Sequence, residues 1–391
     1  MPCDIVLSVP RSPHYDVVVI GAGMIGAACA HALTERGMTV AVVDRGPVAG
    51  GTTGAGEGNL LVSDKVPGSE LELALESQRL WRELAESLGA DALEYEAKGG
   101  LVVAKDLQSL GALQGLAARQ REAGVEAVPV PADALGELEP HLAPALAGGV
   151  LYPQDAQVQP ALAAATLLRA ARDTGRAELL AGTAVTALAE GRVETDTRGT
   201  LHCGAVVNAA GTWGGEIAAL AGAALPILPR RGFVLVTEPL PPLVRHKVYA
   251  ADYVADVASG SADLQSSGVV EGTAAGPVLI GASRERVGFD RSLAVPVLAR
   301  LAAQAAELFP VLRDVRVMRA YRGFRPYLPD HLPAIGPDPR RPWLLQACGH
   351  EGAGIGLAPA TGRLIAQLLG DEKPFMDPTP FDPARFQEEQ P

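Results

Sequence analysis

Cysteine is scarce in this chain and badly placed for cross-linking. The four cysteines, Cys3, Cys29, Cys203 and Cys348, lie far apart and form no C-x-x-C pair or Cys/His cluster. That spacing argues against a disulfide framework and against a zinc site; no metal is expected, and a reducing cytoplasm is the simplest home. Positive charge is short as well: 33 Lys and Arg face 45 Asp and Glu, a formal net charge of −12. Nucleic acid needs a basic face to hold its phosphates, so it is set aside as a partner. Nearly all the cations are arginine, which reads as coding bias more than design. The first thirteen residues lack the basic and apolar segments of a signal peptide. Val17 to Thr34 carries no formal charge, yet its glycines and the Glu35-Arg36 end fit a nucleotide-binding start better than a membrane span. No internal repeat or low-complexity tract is evident, and the length suits roughly two or three domains.

What the chain does have begins at Tyr15. A buried apolar strand, Asp16 to Ile20, runs into Gly21-Ala22-Gly23-Met24-Ile25-Gly26, then a predicted helix Ala27–Arg36, then a second strand Thr39–Val43 ending in Asp44. This is the G-x-G-x-x-G order of a βαβ unit that holds a dinucleotide. Gly21 permits the sharp turn, Gly23 lets the backbone approach a pyrophosphate, and Gly26 lets helix and strand pack closely. Phosphates then sit on the helix N-terminus, where free N–H groups and the dipole favour negative charge. Asp44, eighteen residues beyond Gly26, is placed to accept hydrogen bonds from a ribose.

The fingerprint alone does not separate a nicotinamide from a flavin dinucleotide. The segment after Asp44-Arg45 does: Gly50 to Leu60 is a glycine-dense loop with Thr52 and Thr53 near its start and Gly58-Asn59-Leu60 at its end. Its N–H groups can form an anion nest, and its hydroxyls can bond phosphate or ring atoms. A flexible surface loop is the plain alternative. A third glycine element, Trp343 to Gly356, carries Gly352-Ala353-Gly354-Ile355 into a helix Leu357–Leu369 closed by Gly370. A helix N-terminus aimed at a flavin's pyrimidine edge would stabilise the anion formed on reduction, by roughly 0.3–2 kcal/mol. Between these lie a strand Glu178–Val185 and a buried strand Val206-Val207-Asn208 leading to Gly211 and Trp213.

As an ordered set, Val18–Gly26 with Asp44-Arg45, Gly51–Leu60, Val206–Trp213, Gly323–Gly336 and Gly349–Gly362 resemble the glycine oxidase, sarcosine oxidase and D-amino-acid oxidase family of flavoproteins. The resemblance spans about residues 14 to 370 and looks closest to flavin subunits of heteromeric members, such as hydroxyproline dehydrogenase, opine oxidase and hydrogen cyanide synthase. It implies an α/β fold with an α+β substrate domain, in which a Rossmann-type FAD-binding domain (14–98, 150–228 and 320–391) is interleaved with an antiparallel-sheet substrate domain (99–149 and 229–319). Local sequence agrees. Ser69-Glu70-Leu71-Glu72 reads as a capping box, with Leu73, Leu80, Trp81, Leu84 and Leu88 along one helical face. Pro160 suits the first position of a helix. Phe233–Thr237 and Val278–Gly281 read as strands, and 254–276 as an irregular loop over the site.

The resemblance further implies amine oxidation: a hydride moves from the carbon beside nitrogen to flavin N5, and the imine then hydrolyses or cyclises. Such a site needs a carboxylate anchor more than a general base. Gly323-Phe324-Arg325-Pro326 matches the segment whose arginine binds the substrate carboxylate, so Arg325 takes that role, a structural salt bridge with Asp330 being the alternative. His350 would touch substrate or ring, or else pack or cap. Tyr249 and Tyr253 lie where relatives place substrate-contacting tyrosines, or else in the core. Glu57 and Glu351, acids that would oppose flavin reduction, are expected to point outward or bond backbone amides. Asp155 and Arg230-Arg231 read as turn and surface groups. No cysteine lies in 325–336, where some relatives attach the flavin, so the FAD is expected to be non-covalent. Nothing places Lys247 where some relatives keep an oxygen-activating lysine, which favours a dehydrogenase with further subunits, an iron–sulfur partner included. The rivals are a nicotinamide dehydrogenase, a non-catalytic FAD relay subunit and an RNA-modifying relative, the last opposed by the acidic balance.

Overall fold

The computed structural model describes residues 14–257 and 259–386, so Cys3 and the last stretch of the expected FAD domain lie outside the described residues. Apolar strand residues with almost no exposure build two eight-stranded sheets. In the first, His14–Ile20 lies between Val40–Asp44 and Gly199–Asn208, all parallel. Arg341–Cys348 extends the parallel run beyond Gly199–Asn208, and Ala177–Ala181 extends it beyond Val40–Asp44. Chain connections therefore leave His14–Ile20 in opposite directions, which makes a crevice at the carboxyl ends of the strands. Gly21, the Ala209–Gly211 turn and Gly349 all follow the carboxyl ends of neighbouring strands. Three segments far apart in sequence meet there.

Helices Met24–Glu35, Ser69–Leu88, Pro160–Asp173 and Gly354–Leu369 share one core with that sheet. Close approach is written in glycine: a Cβ on Gly362 would lie 2.5 Å from the Ala28 carbonyl oxygen. Trp81 is fully buried, and its Nε1 donates to the carbonyls of Ile355 and Gly356 at 3.2 Å each, pinning the start of the last long helix.

The second sheet is antiparallel except where Lys247–Ala250 runs parallel to Gly100–Ala104. Val317–Tyr327 is its edge, followed by Leu228–Thr237, Val278–Arg284 and Gln265–Gly272. Helix Val295–Leu308 covers one face through Val297, Leu301 and Ala305, against Phe233, Leu235 and Ile280. Residues one step out of phase, Gly232 and Val234, face the other way, onto a cavity.

Several local expectations need correction. The capping box does not form: Gly68 takes the N-cap, with φ +148, and no side chain caps the helix Ser69–Leu88. The first long helix starts at Met24 rather than Ala27, directly on the glycine turn. Glu178–Val185 is broken by Gly182, at φ +68, into Ala177–Ala181 and Val185–Ala189. The expected loop 254–276 contains most of a helix, Asp252–Val257, and a full strand, Gln265–Gly272, whose partners on both sides supply its hydrogen bonds. Among the described residues no helix is long and apolar enough to cross a membrane.

Candidate active site

A cavity of about 470 Å³ runs from the first glycine turn to the second sheet. At one end, Gly21 faces the Ala209 carbonyl so closely that any Cβ would collide with it. The helix that follows starts at Met24, with Gly23 as an N-cap that offers no side chain and no acid in the first turn, which leaves a positive end directed at the cavity. Asp44 organises this end: Oδ2 accepts from the Ala22 amide and Oδ1 from the Gly46 amide, both at 2.7 Å. Thr53 Oγ1 accepts from the Met24 amide at 2.9 Å. Thr52 and Thr212 donate their hydroxyls to one carbonyl, that of Phe324, at 2.6 and 2.7 Å. Those bonds tie the glycine loop to the strand that carries Arg325. Arg45 lies 4.6 Å over the Trp213 ring, which also stacks on Phe289 with ring centroids 5.6 Å apart.

Of the residues expected to hold a cofactor, Gly21, Gly23, Met24, Ile25, Asp44, Arg45, Thr52, Thr53, Asn59, Val185, Gly211, Trp213, Gly352, Gly354 and Ile355 lie on the cavity wall. Gly26, Gly58, Leu60 and Ala353 do not. Gly26 is packed onto the Gly21 carbonyl and Gly58 onto that of Val158, where no Cβ would fit. Leu60 is fully buried in the short strand Asn59–Leu60, and Ala353 is the N-cap of the last long helix, beside a minor hollow shared with Lys65. The wall also carries Pro47, Thr183, Glu216 and Leu220, which no sequence signal distinguished.

A family model described as FAD dependent oxidoreductase (DAO) matches residues 16–368. The chain belongs to this FAD-dependent oxidoreductase family. Among its relatives, "Hydrogen cyanide synthase subunit HcnC" of Pseudomonas aeruginosa is 32% identical, over 96% of this chain and 97% of that protein. "Glycine oxidase" of Geobacillus kaustophilus is 31% identical, over 95% and 97%. The crystal structure of glycine oxidase from Geobacillus kaustophilus superposes with a TM-score of 0.86 at 29% identity, covering 95% of this chain and 98% of that one. L-proline dehydrogenase from P. horikoshii shares the fold, with a TM-score of 0.87 at 23% identity over 97% and 99%. FAD is therefore the cofactor of this oxidoreductase. The cavity fits it on its own geometry: a helix start with no acid in its first turn, a bare glycine turn and an acid held at the end of the second strand lie along one wall.

The far end of the cavity is where side chains of the second sheet appear. Arg325 crosses over Gly232, whose absent Cβ leaves room for the guanidinium, and its Nη1 donates to the Ser283 carbonyl at 2.8 Å. Asp330 is not its partner: Arg385 takes that carboxylate at 2.6 Å. Burial lowers the pKa of Arg325, and the neighbouring Arg284 lowers it further. Tyr253 lines the cavity, with the Arg284 guanidinium 4.9 Å over its ring. Tyr249 is a core residue instead; it is fully buried and its hydroxyl donates to Ser63 Oγ at 2.5 Å. His350 is on the wall with Nε2 3.0 Å from Thr361 Oγ1, and burial pushes its pKa down to about 3. It is a neutral imidazole.

The charged residues correct the sequence reading most. Glu57 does not point outward; its side chain is 5% exposed, on the cavity wall, with Lys247 Nζ 3.8 Å from Oε1. Lys247 is held at 2.5 Å by Glu271. Glu351 bonds side chains rather than amides, pairing with Arg230 and, at 3.1 Å, with His331. Burial alone would raise its pKa; the hydrogen bond with His331 and the Arg230 charge reverse that, and the net shift is down. Arg230 and Arg231 are not surface groups but strand residues, 0% and 4% exposed. Arg231 pairs with Glu285 at 2.8 Å and Asp290 at 2.6 Å. Asp155 does follow a turn but is buried, accepting from the Val62 amide at 2.8 Å and from the Ser63 hydroxyl. Among the described residues no cluster is arranged to hold a metal.

Proposed function

We propose that this protein oxidises the C–N bond of a small amino or imino acid, with Arg325 as the carboxylate anchor. The observation that carries this reading is a guanidinium on the cavity wall whose only described hydrogen-bond acceptor is a single backbone carbonyl. Its remaining N–H groups form a fork free for a bidentate carboxylate. Tyr253 and the neutral His350 would shape the rest of the substrate's surroundings. Bound FAD, held without a covalent link by the wall residues from Gly21 to Asp44, Thr52-Thr53, Trp213 and Gly352–Ile355, supplies the hydride acceptor at N5. The names of the relatives, which include glycine oxidase and a subunit of hydrogen cyanide synthase, support an amino-acid substrate.

The reading extends to domain roles: 14–98, 150–228 and 320–391 hold the cofactor, while 99–149 and 229–319 shape the substrate end. It also favours a dehydrogenase with partner subunits over an oxidase. Lys247 is locked between Glu271 and Glu57 rather than set on the wall, and no other lysine lines the cavity among the described residues. An iron–sulfur partner is one carrier that would fit. Anaerobic titration with a panel of amino and imino acids tests the reaction, since a substrate bleaches the visible flavin band. Readmitting air then separates the two acceptor classes: rapid recovery with peroxide means oxidase, and slow recovery means dehydrogenase. If no acid bleaches the flavin, alone or with partner chains, the relay-subunit reading replaces this one.

A further inference from the structure

Arg325 accounts for one end of an amino acid and leaves the ammonium end without a partner. We propose that Glu57 receives the proton of that ammonium group and is therefore a catalytic residue of the amine oxidation. The proposal rests on the function proposed above.

Two glycines frame the geometry. The strands Leu228–Thr237 and Val278–Arg284 are neighbours in the second sheet. Gly232 on the first leaves the space filled by the Arg325 guanidinium, and Gly281 on the second leaves the space filled by the Glu57 carboxylate. A Cβ on Gly281 would stand 2.6 Å from Glu57 Oε1. The sheet is thus bare at the two places where side chains of opposite charge press against it. Both line the cavity, and each acts on the other's charge, yet they form no ion pair among the described residues. Glu57 Oε1 is also buried without any hydrogen-bond partner. A buried acceptor left unpaired is destabilising, and Glu57 reaches the cavity wall, where a ligand N–H can approach its carboxylate. An amino acid carries the complementary charges: carboxylate toward Arg325, ammonium toward Glu57.

The surrounding groups suit proton transfer. Lys247 faces Glu57 from the strand Lys247–Ala250, Glu271 from Gln265–Gly272, and Tyr321 and Arg325 from Val317–Tyr327, while Asn59 lies in its own loop. Burial raises the Glu57 carboxyl, Lys247 opposes that rise, and Glu271 adds to it. A raised carboxyl is a better base toward an ammonium group than a solvated one. In the step, the substrate N–H bond breaks, its electron pair stays on nitrogen, and the proton goes to the Glu57 carboxylate. The neutral amine then has the lone pair that lets the adjacent carbon give up hydride; bound FAD would supply the two-electron acceptor, and the product released would be the iminium cation, which loses a proton to water to become the imine. Glu57, then neutral, would no longer oppose negative charge on a bound flavin.

The test is the rate of anaerobic flavin reduction in the FAD-loaded protein, wild type against Glu57→Gln, from roughly pH 6 to pH 10 so as to approach the free amine's own pKa. At neutral pH the variant is expected to be slower by about 10²–10⁴-fold. Its rate should climb about tenfold per pH unit toward the amine pKa, because only substrate that arrives neutral can react, and should approach wild type in alkali. Calorimetric binding of the matching acid without nitrogen reports separately on the anchor, and Glu57→Asp should restore much of the neutral rate. An unchanged rate and profile, or the same loss at every pH, overturns the proposal. If Glu57→Gln no longer binds the nitrogen-free acid, Glu57→Asp decides: no recovery at neutral pH counts against the proposal. Should Arg325→Ala abolish binding while Glu57→Gln changes nothing, only this proposal falls. If no amino acid reduces the wild-type flavin, the proposed function falls first.

Discussion

Replacing Arg325 by alanine removes the positive charge from the second-sheet end of the cavity, and the structure sets the size of the loss. Removing one member of a buried, hydrogen-bonded charge pair costs roughly 2–5 kcal/mol. The Arg325 side chain is partly exposed on the cavity wall, so solvent screening places the expected cost in the lower half of that range. About 2–3 kcal/mol corresponds to a roughly 30- to 150-fold weaker affinity for a carboxylated amine, at ~1.4 kcal/mol per factor of ten. Arg325→Lys keeps the charge and loses the planar fork, and should cost about tenfold. The assay is KM together with the dissociation constant from anaerobic flavin reduction, on protein whose visible spectrum confirms full FAD content. The amine that lacks the carboxylate is the control: it should bind poorly to wild type and be insensitive to either change. An unchanged KM for the carboxylated substrate in Arg325→Ala, with flavin intact, refutes the assignment.

Gly26→Ala should cost roughly 1–3 kcal/mol through overpacking, because the new methyl meets the Gly21 carbonyl; flavin-to-protein ratio and melting temperature should both fall, and full loading with an unchanged melt contradicts this. Burial raises the Asp155 carboxyl from 3.8 to about 7, against hydrogen bonds from Ser63 and Val62. The folded state therefore holds this proton more tightly than the unfolded one: the stabilisation is complete below about pH 4 and is lost as pH rises toward 7. Asp155→Asn should flatten that slope in a pH series of thermal melts, and an identical slope rejects it. Acid precipitation should release all the flavin to the supernatant, as measured by absorbance, whereas flavin that stays with the polypeptide means a covalent link.

The dinucleotide end of the site was legible because its signals are local. Gly21, Gly23 and Asp44 lie within one βαβ unit, and their spacing follows from turn and helix geometry alone. The sequence did not show which glycines touch ligand and which touch backbone. Gly26 and Gly58 look like Gly23 in sequence, yet their open sides are filled by the carbonyls of Gly21 and Val158. Buried charge was the least legible feature. Arg230 meets Glu351 across 121 positions, and Glu57 meets Lys247 and Glu271 only once the second sheet is in register. An isolated charge in a sequence reads as solvated unless its partner is known, and here pairing across sheets supplies the partners. Ser69 illustrates a smaller failure: the S-x-x-E pattern was present, but Gly68 adopts a backbone conformation open to glycine and takes the cap itself.

A crystal structure of the FAD-loaded protein with a bound carboxylic acid tests the central claim most directly. The account predicts the adenine end of FAD beside Asp44, the flavin between the Gly50–Leu60 loop and Gly352–Ile355, and the carboxylate on the free N–H groups of Arg325. A carboxylate bound elsewhere, with Arg325 still directed only at the Ser283 carbonyl, would contradict it.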